Sequence, residues 1–256
     1  MGDNLKDSSD RFYGNSQLQA EGCEHGTFVA GVIAGQGIND KSITGVWPQA
    51  RLMIIRAVPD GDEYDKDISS SIRYAADNGA KVINMSLGKY TSPDAAMVND
   101  AIAYALKKDV LIIQAAGNNK HNIDLTSYFP SAKDTKGNSF VNYLRVGSSN
   151  QKGQPSEFSN YGAKEVDVYA PGEEITSVAV GNKYMVSQGT SIATPVVSGV
   201  AAMLRAYFPK LTAAQIKEIL IKSVRPVSGL KDRCTSGGII DALQAAKLAI
   251  EYNKKR

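Results

Sequence analysis

Cysteine and histidine are scarce in this sequence. Its 256 residues include two of each, and the cysteines, Cys23 and Cys234, lie far apart and lack metal-ligand spacing. Two thiols are too few for a disulfide framework. An inert buried thiol is the common outcome for such a cysteine, although Cys23 lies two residues before His25 and a reactive thiol there has to be considered. The scarcity argues against a disulfide-stapled fold and against a cysteine metal centre.

Long apolar runs and strong charge of one sign are also missing. No run approaches the roughly 18 to 20 apolar residues that a membrane span needs, and residues 1–15 lack the apolar core of a signal peptide. The net charge is only +3, and the basic cluster at 254–256 is typical of a solvated tail. We therefore expect no membrane span in this chain and no nucleic-acid partner. The chain itself does not indicate a compartment.

The apolar residues follow a pattern typical of a parallel α/β fold. Hydrophobic residues make up 43% of the chain and no low-complexity linker divides it, so we expect one domain over 1–256, with a loop at 1–22 and a core at 23–256. Short apolar runs alternate with segments of helical period, which predicts a mostly parallel sheet flanked by helices. The predicted strands are 51–58, 81–87, 110–117 and 143–149, and the predicted helices include 67–78, 92–108, 212–223 and 241–253.

Sheets of this kind carry their functional residues where the parallel strands end. The predicted strand exits are Ser86-Leu87-Gly88, Ala115-Ala116-Gly117-Asn118 and the turn after Val146. A nucleotide site is a poor alternative, because Gly35-Gln36-Gly37 lacks the third glycine of a dinucleotide fingerprint and no Walker-type loop occurs. We therefore expect a site at this edge that binds something other than a phosphate group.

Residues 23–35, CEHGTFVAGVIAG, predict a helix that begins beside His25. Glycines and alanines fall at helical spacing along it and form a face with almost no side-chain bulk, so another backbone can approach that face closely. His25, at the edge of this packing, would be both held and accessible to solvent, which suits a catalytic base. The alternative is an ordinary histidine that is satisfied by hydrogen bonds at a helix end.

Residues 187–204, SQGTSIATPVVSGVAAML, predict a second helix of this kind. Pro195 is tolerated best in the first turn, so we expect the helix to begin at about Ser191. Gly189 permits a sharp turn, which would leave the hydroxyl and amide of Ser191 at the positive end of the helix dipole. An ordinary N-cap serine is the alternative. With His25 as proton acceptor and Asn118 as amide donor, however, Ser191 has the groups that a serine nucleophile needs.

The motifs around these residues resemble those of the subtilisin-like serine proteases. His25-Gly26-Thr27 with VAGVIAG is similar to the family's histidine motif, and Gly189-Thr190-Ser191 with ATP is similar to its serine motif. Ala115-Ala116-Gly117-Asn118 resembles the oxyanion-hole segment. VINMSLG at 82–88 and FSNYGAKEVDVYAPG at 158–172 also resemble family segments, in the family's order. The resemblance implies a subtilisin-like three-layer α/β peptidase domain and serine endopeptidase activity.

The resemblance also implies a role for each site residue. Ser191 would be the nucleophile, His25 the general base and acid, and Asn118 with the Ser191 amide the oxyanion hole. His121 belongs to no family motif, and we interpret it as a surface-loop histidine. The implied substrate is an extended polypeptide, and the chemistry needs no cofactor. A secreted or cell-envelope location is what the family resemblance suggests.

The substrate-binding residues follow from the two strand exits. The substrate strand would pair with Ser86-Leu87-Gly88, and the specificity pocket would lie between Leu87-Gly88 and Ala115-Ala116-Gly117. Both walls are small or apolar and carry no carboxylate, so we expect an apolar or aromatic residue before the cut bond. The acidic segment 60–64 is typical of a solvated loop. Its functional interpretation is a preference for basic residues two or four positions before the cut.

The triad acid is the part of the family pattern that the sequence does not supply. The family takes an aspartate from the end of an apolar strand upstream of the histidine, but none of Asp3, Asp7 and Asp10 follows such a strand. We therefore expect a chain that starts inside a longer protein, lacks the N-terminal strand or strands, and is weakly active or inactive without the upstream segment of its own full-length chain. The same three aspartates suit a structural calcium ion, although their spacing matches no known calcium loop.

Two other functions stay open at this stage. A non-catalytic relative would keep the fold and bind peptides or scaffold a larger protein, but it has no physical need for Ser191, His25 and Asn118 together. A thiol nucleophile at Cys23 is disfavoured because this cysteine precedes the base along the chain instead of facing it across the fold. Labelling with a fluorophosphonate separates the three hypotheses.

Overall fold

The computed structural model describes residues 16–18, 23–37, 42–58 and 63–254. The helices are α1 Glu24–Ala34, α2 Asp65–Asp77, α3 Ala95–Lys107, α4 Thr190–Tyr207, α5 Ala213–Lys222 and α6 Ala242–Lys254. The strands are β1 Val82–Met85, β2 Leu111–Ala115, β3 Tyr143–Ser149, β4 Val168–Pro171, β5 Ile175–Ala179, β6 Lys183–Ser187, β7 Arg225–Pro226 and β8 Gly238–Ile239. None of the helices in these ranges is long and apolar enough to cross a membrane.

The main sheet has the strand order β1-β2-β3-β4-β8-β7. Strands β1, β2, β3, β4 and β8 run parallel, and β7 pairs with β8 in the antiparallel sense. The predicted mostly parallel sheet is therefore confirmed. Strands β5 and β6 form a separate antiparallel pair that the periodicity did not predict.

Helices cover both faces of this sheet. Leu111 and Ile113 of β2 lie in a buried cluster with residues of α4, α5 and α6, whereas Ile112 between them lies in a second cluster with residues of α2 and α3. Successive side chains of a strand point to opposite faces, so an unbroken apolar run is what a strand covered on both sides requires. The three-layer architecture is confirmed.

Helix α1 lies against α4 and β5. Phe28, Val29 and Ile33 of α1 share a buried cluster with Ile192 of α4. A methyl group added at Gly31 would lie 2.4 Å from Ser177 Oγ and 2.5 Å from a methyl carbon of Val178, so only glycine permits this contact with β5. The expected close approach of another backbone to the small face of α1 is therefore found.

The predicted strand at 51–58 is wrong. These residues form no strand, and their apolar side chains Leu52, Met53 and Ile54 are 42%, 40% and 51% exposed. An apolar run becomes a strand only where its backbone groups find a hydrogen-bonding partner. Within the described residues, β1 pairs with β2 along one edge and no strand pairs with its other edge. The partner that 51–58 would need is thus not among the described strands.

Candidate active site

The start of α4 brings three polar groups to one point. Gly189 precedes the helix with φ 151°, a backbone conformation that favours glycine. A methyl group added to Gly189 would lie 3.1 Å from Ser191 Oγ, 3.4 Å from Asn118 Nδ2 and 3.7 Å from the Ser191 amide nitrogen. The nucleophile, the side-chain amide and the backbone amide that the sequence predicted to act together therefore surround the space beside Gly189.

Thr190 fixes the orientation of the Asn118 amide. Asn118 Oδ1 accepts hydrogen bonds from the Thr190 backbone amide at 2.8 Å and from Thr190 Oγ1 at 2.9 Å. With the oxygen held by two donors, the Nδ2 group is the part of Asn118 that is left to donate towards a substrate. The result is a preorganised donor of the kind that stabilises an oxyanion.

Sequence analysis missed this role of Thr190. Its side chain is fully buried, and Oγ1 also accepts a hydrogen bond from the Gly117 amide at 3.0 Å. Thr190 thereby ties the start of α4 to the segment that follows β2, on which Asn118 lies. The only available signal was its position between Gly189 and Ser191, because the hydrogen bonds span more than 70 positions of the chain.

Pro195 lies deeper in α4 than the sequence predicted. The helix begins at Thr190, one residue from the expected start, and Pro195 lies in its second turn, where it cannot donate to the carbonyl of Ser191. That carbonyl instead accepts a hydrogen bond from Ser86 Oγ at 2.7 Å. Ser86 in turn accepts a hydrogen bond from Asn84 Nδ2 at 2.9 Å. The hydroxyl of Ser86 therefore supports the first turns of the helix that carries Ser191.

His25 is the second residue of α1, as predicted, and its side chain is exposed. The protein around it still desolvates the ring, which lowers the pKa of His25 below its ordinary value of 6.5. Phe28 and Ile192 share one buried cluster, which anchors the first turns of α1 and α4 in the same part of the fold. Among the described residues, however, no hydrogen bond joins His25 to Ser191 and no carboxylate forms an ion pair with it.

The two predicted walls of the specificity pocket lie at the ends of neighbouring strands. Met85 pairs with Gln114, so Ser86-Leu87-Gly88 and Ala115-Ala116-Gly117 leave the sheet side by side. The first segment is half-buried and the second is buried. The amide of Gly88 donates to Glu63 Oε1 at 3.3 Å, so a carboxylate already binds this edge.

The shape of the surface differs from the expected pocket. A cavity of about 1090 Å³ opens beside Asn118 and Gln188, with Phe158, Glu157 and Glu173 on its walls. A second cavity of about 240 Å³ includes Tyr128 and Arg145 in its lining. Neither of these two cavities is lined by the two predicted walls.

Comparisons with known proteins match this arrangement. The model of the subtilase family, Peptidase_S8, matches residues 3–242. The chain belongs to the subtilase family.

Individual relatives of this subtilase agree with the family match. The chain is 40% identical over 181 residues to a thermophilic serine proteinase of Bacillus sp. (strain AK1), covering 70% of the chain and 42% of the relative. It is 35% identical to a cell wall-associated protease of Bacillus subtilis (strain 168), covering 87% of the chain and 23% of the relative. The chain thus spans less than half the length of these two proteins.

A solved structure shows the same fold. The subtilase chain superposes on the prenylagaramide maturation protease PagA with a TM-score of 0.75 and 31% sequence identity, over 88% of this chain and 82% of that one. At this level of similarity, the subtilisin-like fold class that the sequence predicted is confirmed.

The sequence also drew attention to two cysteines, a second histidine and several acidic residues. Cys23 is half-buried at the start of α1, and Cys234 is buried. His121 is exposed and contacts the ring of Tyr90, with ring centroids 5.2 Å apart. Asp3, Asp7, Asp10 and positions 60–62 of the acidic segment lie outside the described residues. Within the described ranges, no cluster of three or more histidine, cysteine, aspartate or glutamate side chains is arranged to hold a metal ion.

Proposed function

We propose that this subtilase is a serine endopeptidase in which Ser191 is the nucleophile, His25 the general base and Asn118 part of the oxyanion hole. The observation that carries the proposal is the arrangement at Gly189, where Ser191 Oγ, the Ser191 amide and Asn118 Nδ2 surround one space. Thr190 holds the amide oxygen of Asn118, so its nitrogen faces that space as a donor. An ordinary N-cap serine has no need for such a neighbour.

The chemistry would proceed in two steps. Ser191 Oγ attacks the carbonyl carbon of the peptide bond while His25 takes the hydroxyl proton, and the oxyanion receives hydrogen bonds from Asn118 Nδ2 and the Ser191 amide. Collapse of the tetrahedral intermediate expels the amine, which takes the proton from His25, and leaves an acyl group on Ser191. Water then repeats the attack with His25 again as base, releasing the acid and restoring Ser191.

The third group of the triad is a separate part of the proposal. His25 has no ion pair with a carboxylate of the described residues and no hydrogen bond to Ser191. We infer that the acid is supplied by a strand that lies outside the described residues and pairs with the open edge of β1. The exposed Leu52, Met53 and Ile54 support this inference, because such a strand would give 51–58 the partner that it lacks among the described strands.

The effect of losing the triad acid on turnover is known in size. A histidine without its carboxylate adopts the wrong tautomer, and turnover falls by about 10⁴-fold. Without such an acid we expect weak activity, and we expect neither Asp3, Asp7 nor Asp10 to act as the acid. A structural calcium ion also stays a prediction.

The substrate would be an extended polypeptide that adds to the edge formed by Ser86-Leu87-Gly88. The amide of Gly88 is bound to Glu63 in this structure, so a substrate carbonyl would have to displace that carboxylate. This contact brings the end of the acidic segment 60–64 to the substrate edge, which supports its proposed preference for basic residues two or four positions before the cut. Asp62→Ser should then reduce cleavage of substrates with a basic residue there, and equal cleavage would remove that preference.

The test of the proposed function is covalent labelling. A small fluorophosphonate should add to Ser191 in the unaltered chain, as read by mass spectrometry of the digested protein. Cys23→Ser should label at the same rate. Absence of an adduct on a folded chain would favour a non-catalytic peptide-binding protein, and an adduct or thiol reaction only at Cys23 would favour a thiol nucleophile.

A further inference from the structure

The space between the two pocket walls is occupied by a side chain of the protein itself. A methyl group added at Gly88 would lie 2.4 Å from Tyr128 Oη and 2.6 Å from Tyr128 Cζ. A methyl group added at Gly117, on the opposite wall, would lie 3.0 Å from both Cε2 and Cζ of the same ring. The ring of Tyr128 therefore contacts both walls. Glycine at position 88 makes room for this ring, whereas a methyl group at Gly117 would first meet Asn160 Nδ2, at 2.3 Å.

The main chain holds Tyr128 in this place. The next residue, Phe129, exchanges two backbone hydrogen bonds with Lys89, the residue after Gly88, at 2.8 and 3.0 Å. Arg145 Nη2 donates to the carbonyl of Pro130 at 2.8 Å and to that of Tyr128 at 3.4 Å. Because these bonds fix the backbone of Tyr128 and of the two residues after it, the position of the Tyr128 ring is set by the fold.

The ring itself is also packed. Tyr128 is only 8% exposed, the ring of Tyr90 meets it edge-on with centroids 5.2 Å apart, and the guanidinium of Arg145 lies 5.6 Å from its centroid. Burial raises the pKa of Tyr128, so its hydroxyl stays neutral at working pH. A neutral aromatic ring that is held on several sides is an obstacle that a substrate side chain cannot easily displace.

Arg145 also supports the wall formed by Leu87 and Gly88. Arg145 is buried and pairs with Glu165 at 3.1 Å. Its Nε donates to Gln114 Oε1 at 2.9 Å, and Gln114 Nε2 donates to the carbonyl of Leu87 at 3.4 Å. One buried polar chain therefore connects the segment that carries Tyr128 with the wall that carries Leu87 and Gly88.

We propose that Tyr128 closes the specificity pocket and restricts the residue before the cut bond to a small side chain, such as glycine, alanine or serine. This inference rests on the proposed function, because it concerns the substrate of Ser191. It replaces the apolar or aromatic preference that was expected from the walls alone. The sequence showed two small walls but not the ring between them.

The experiment measures binding of two peptide boronic acids that add reversibly to the hydroxyl of a catalytic serine. They share one peptide, and their last residue carries the side chain of alanine or of phenylalanine. Calorimetry on the unaltered chain should show that the alanine form binds about 10²-fold more tightly, because one misfitting methylene already changes affinity by 10-fold or more. Tyr128→Ala should raise the affinity of the phenylalanine form by at least about 10-fold, whereas Tyr128→Phe should leave the preference unchanged.

Controls separate this proposal from the proposed function. Tyr74→Ala removes an exposed tyrosine of α2 and should change neither affinity. If Tyr128→Ala does not show the cooperative unfolding of a folded protein, Tyr128→Val replaces it in the experiment. Suppose that Ser191 reacts with the fluorophosphonate. Equal affinities, a phenylalanine preference or no binding of either boronic acid would then overturn the role of Tyr128 but not the proposed function. Failure of the fluorophosphonate to label Ser191 would overturn the proposed function and this inference with it.

Discussion

The two halves of the candidate site are built to very different degrees. Around Ser191, a buried threonine orients Asn118, and the hydroxyl of Ser86 supports the carbonyl that Pro195 leaves free. Around His25, the side chain is exposed, and within the described residues it has neither a carboxylate partner nor a bond to the nucleophile. Within the described residues, the proposed oxyanion donors are therefore held in place by hydrogen bonds, whereas the proposed base is not.

The difference follows from where each half obtains its contacts. The nucleophile half joins the end of β2 to the start of α4, and both elements are buried on several sides by described residues. The base half rests on the packing of α1 against α4 and β5, and among the described strands β1 has an open edge while 51–58 exposes apolar side chains. A catalytic group needs neighbours to orient it, and we propose that one strand outside the described residues both pairs with the open edge of β1 and supplies the acid that orients His25.

The largest expected effect concerns the nucleophile itself. Ser191→Ala removes the oxygen that would attack, and we expect complete loss of the fluorophosphonate adduct. The matched control is Ser198→Ala, which removes a buried hydroxyl from the same helix. An adduct that persists in the Ser191 variant would show that another residue reacts, and it would overturn the proposed role of Ser191 as nucleophile.

The oxyanion donors should give the next largest effect. Asn118→Ala should slow labelling of Ser191 by about 10² to 10³-fold, the scale at which loss of one oxyanion donor acts. Thr190→Val keeps the shape of the side chain and the bond from the backbone amide to Asn118, but it removes the bond from Oγ1 to Asn118 and the bond that Oγ1 accepts from Gly117. We expect this weaker hold on Asn118 to slow labelling by about 10-fold.

A second threonine of α4 provides the control for Thr190. Thr194→Val also removes a buried hydroxyl, but that hydroxyl donates to the Thr190 carbonyl and does not touch Asn118. We expect it to change the labelling rate by less than about 3-fold. Equal effects of the two valine variants would mean that Thr190 acts through helix stability and not through the orientation of Asn118.

Stability measurements compare a buried strand of the sheet with the exposed segment 51–58. Ile113 in β2 is fully buried, so Ile113→Ala should lower the free energy of unfolding by about 2 to 5 kcal/mol. Ile54 is 51% exposed, and Ile54→Ala should change it by less than about 0.5 kcal/mol. Urea denaturation of both variants gives these values. A loss at Ile54 as large as that at Ile113 would show that 51–58 is packed in solution and that the sheet is closed.

The pH dependence of His25 should give the smallest effect. Desolvation lowers its pKa below 6.5, so the neutral base should persist to lower pH and the labelling rate should rise through a midpoint below 6.5. A neighbouring carboxylate would raise that midpoint, because it stabilises the imidazolium. NMR titration of the imidazole signals measures the same midpoint directly. The chain has two histidines, so His121→Gln identifies which signal belongs to His25. A midpoint above about 7 would mean that an acid already faces His25.

Local patterns in the sequence predicted much of this fold. The unbroken apolar runs at β1, β2 and β3 indicated buried strands, and glycine and helical period placed His25 and Ser191 near helix starts. Features that depend on distant partners were not predictable. Residues 51–58 have the composition of a strand but no described partner, and the hydrogen bonds of Thr190 and the position of Tyr128 between two walls arise only when separate segments meet.

The most direct test of the account is the rate at which the fluorophosphonate labels Ser191 in His25→Ala relative to the unaltered chain at pH 8. In a complete triad, loss of the histidine lowers turnover by about 10⁶-fold, and loss of the acid alone already accounts for about 10⁴ of this. If the acid is absent from this chain, His25→Ala should therefore slow labelling by about 10²-fold or less, no more than Asn118→Ala does. A decrease beyond about 10⁴-fold would show that His25 is already oriented by an acid and would contradict the account.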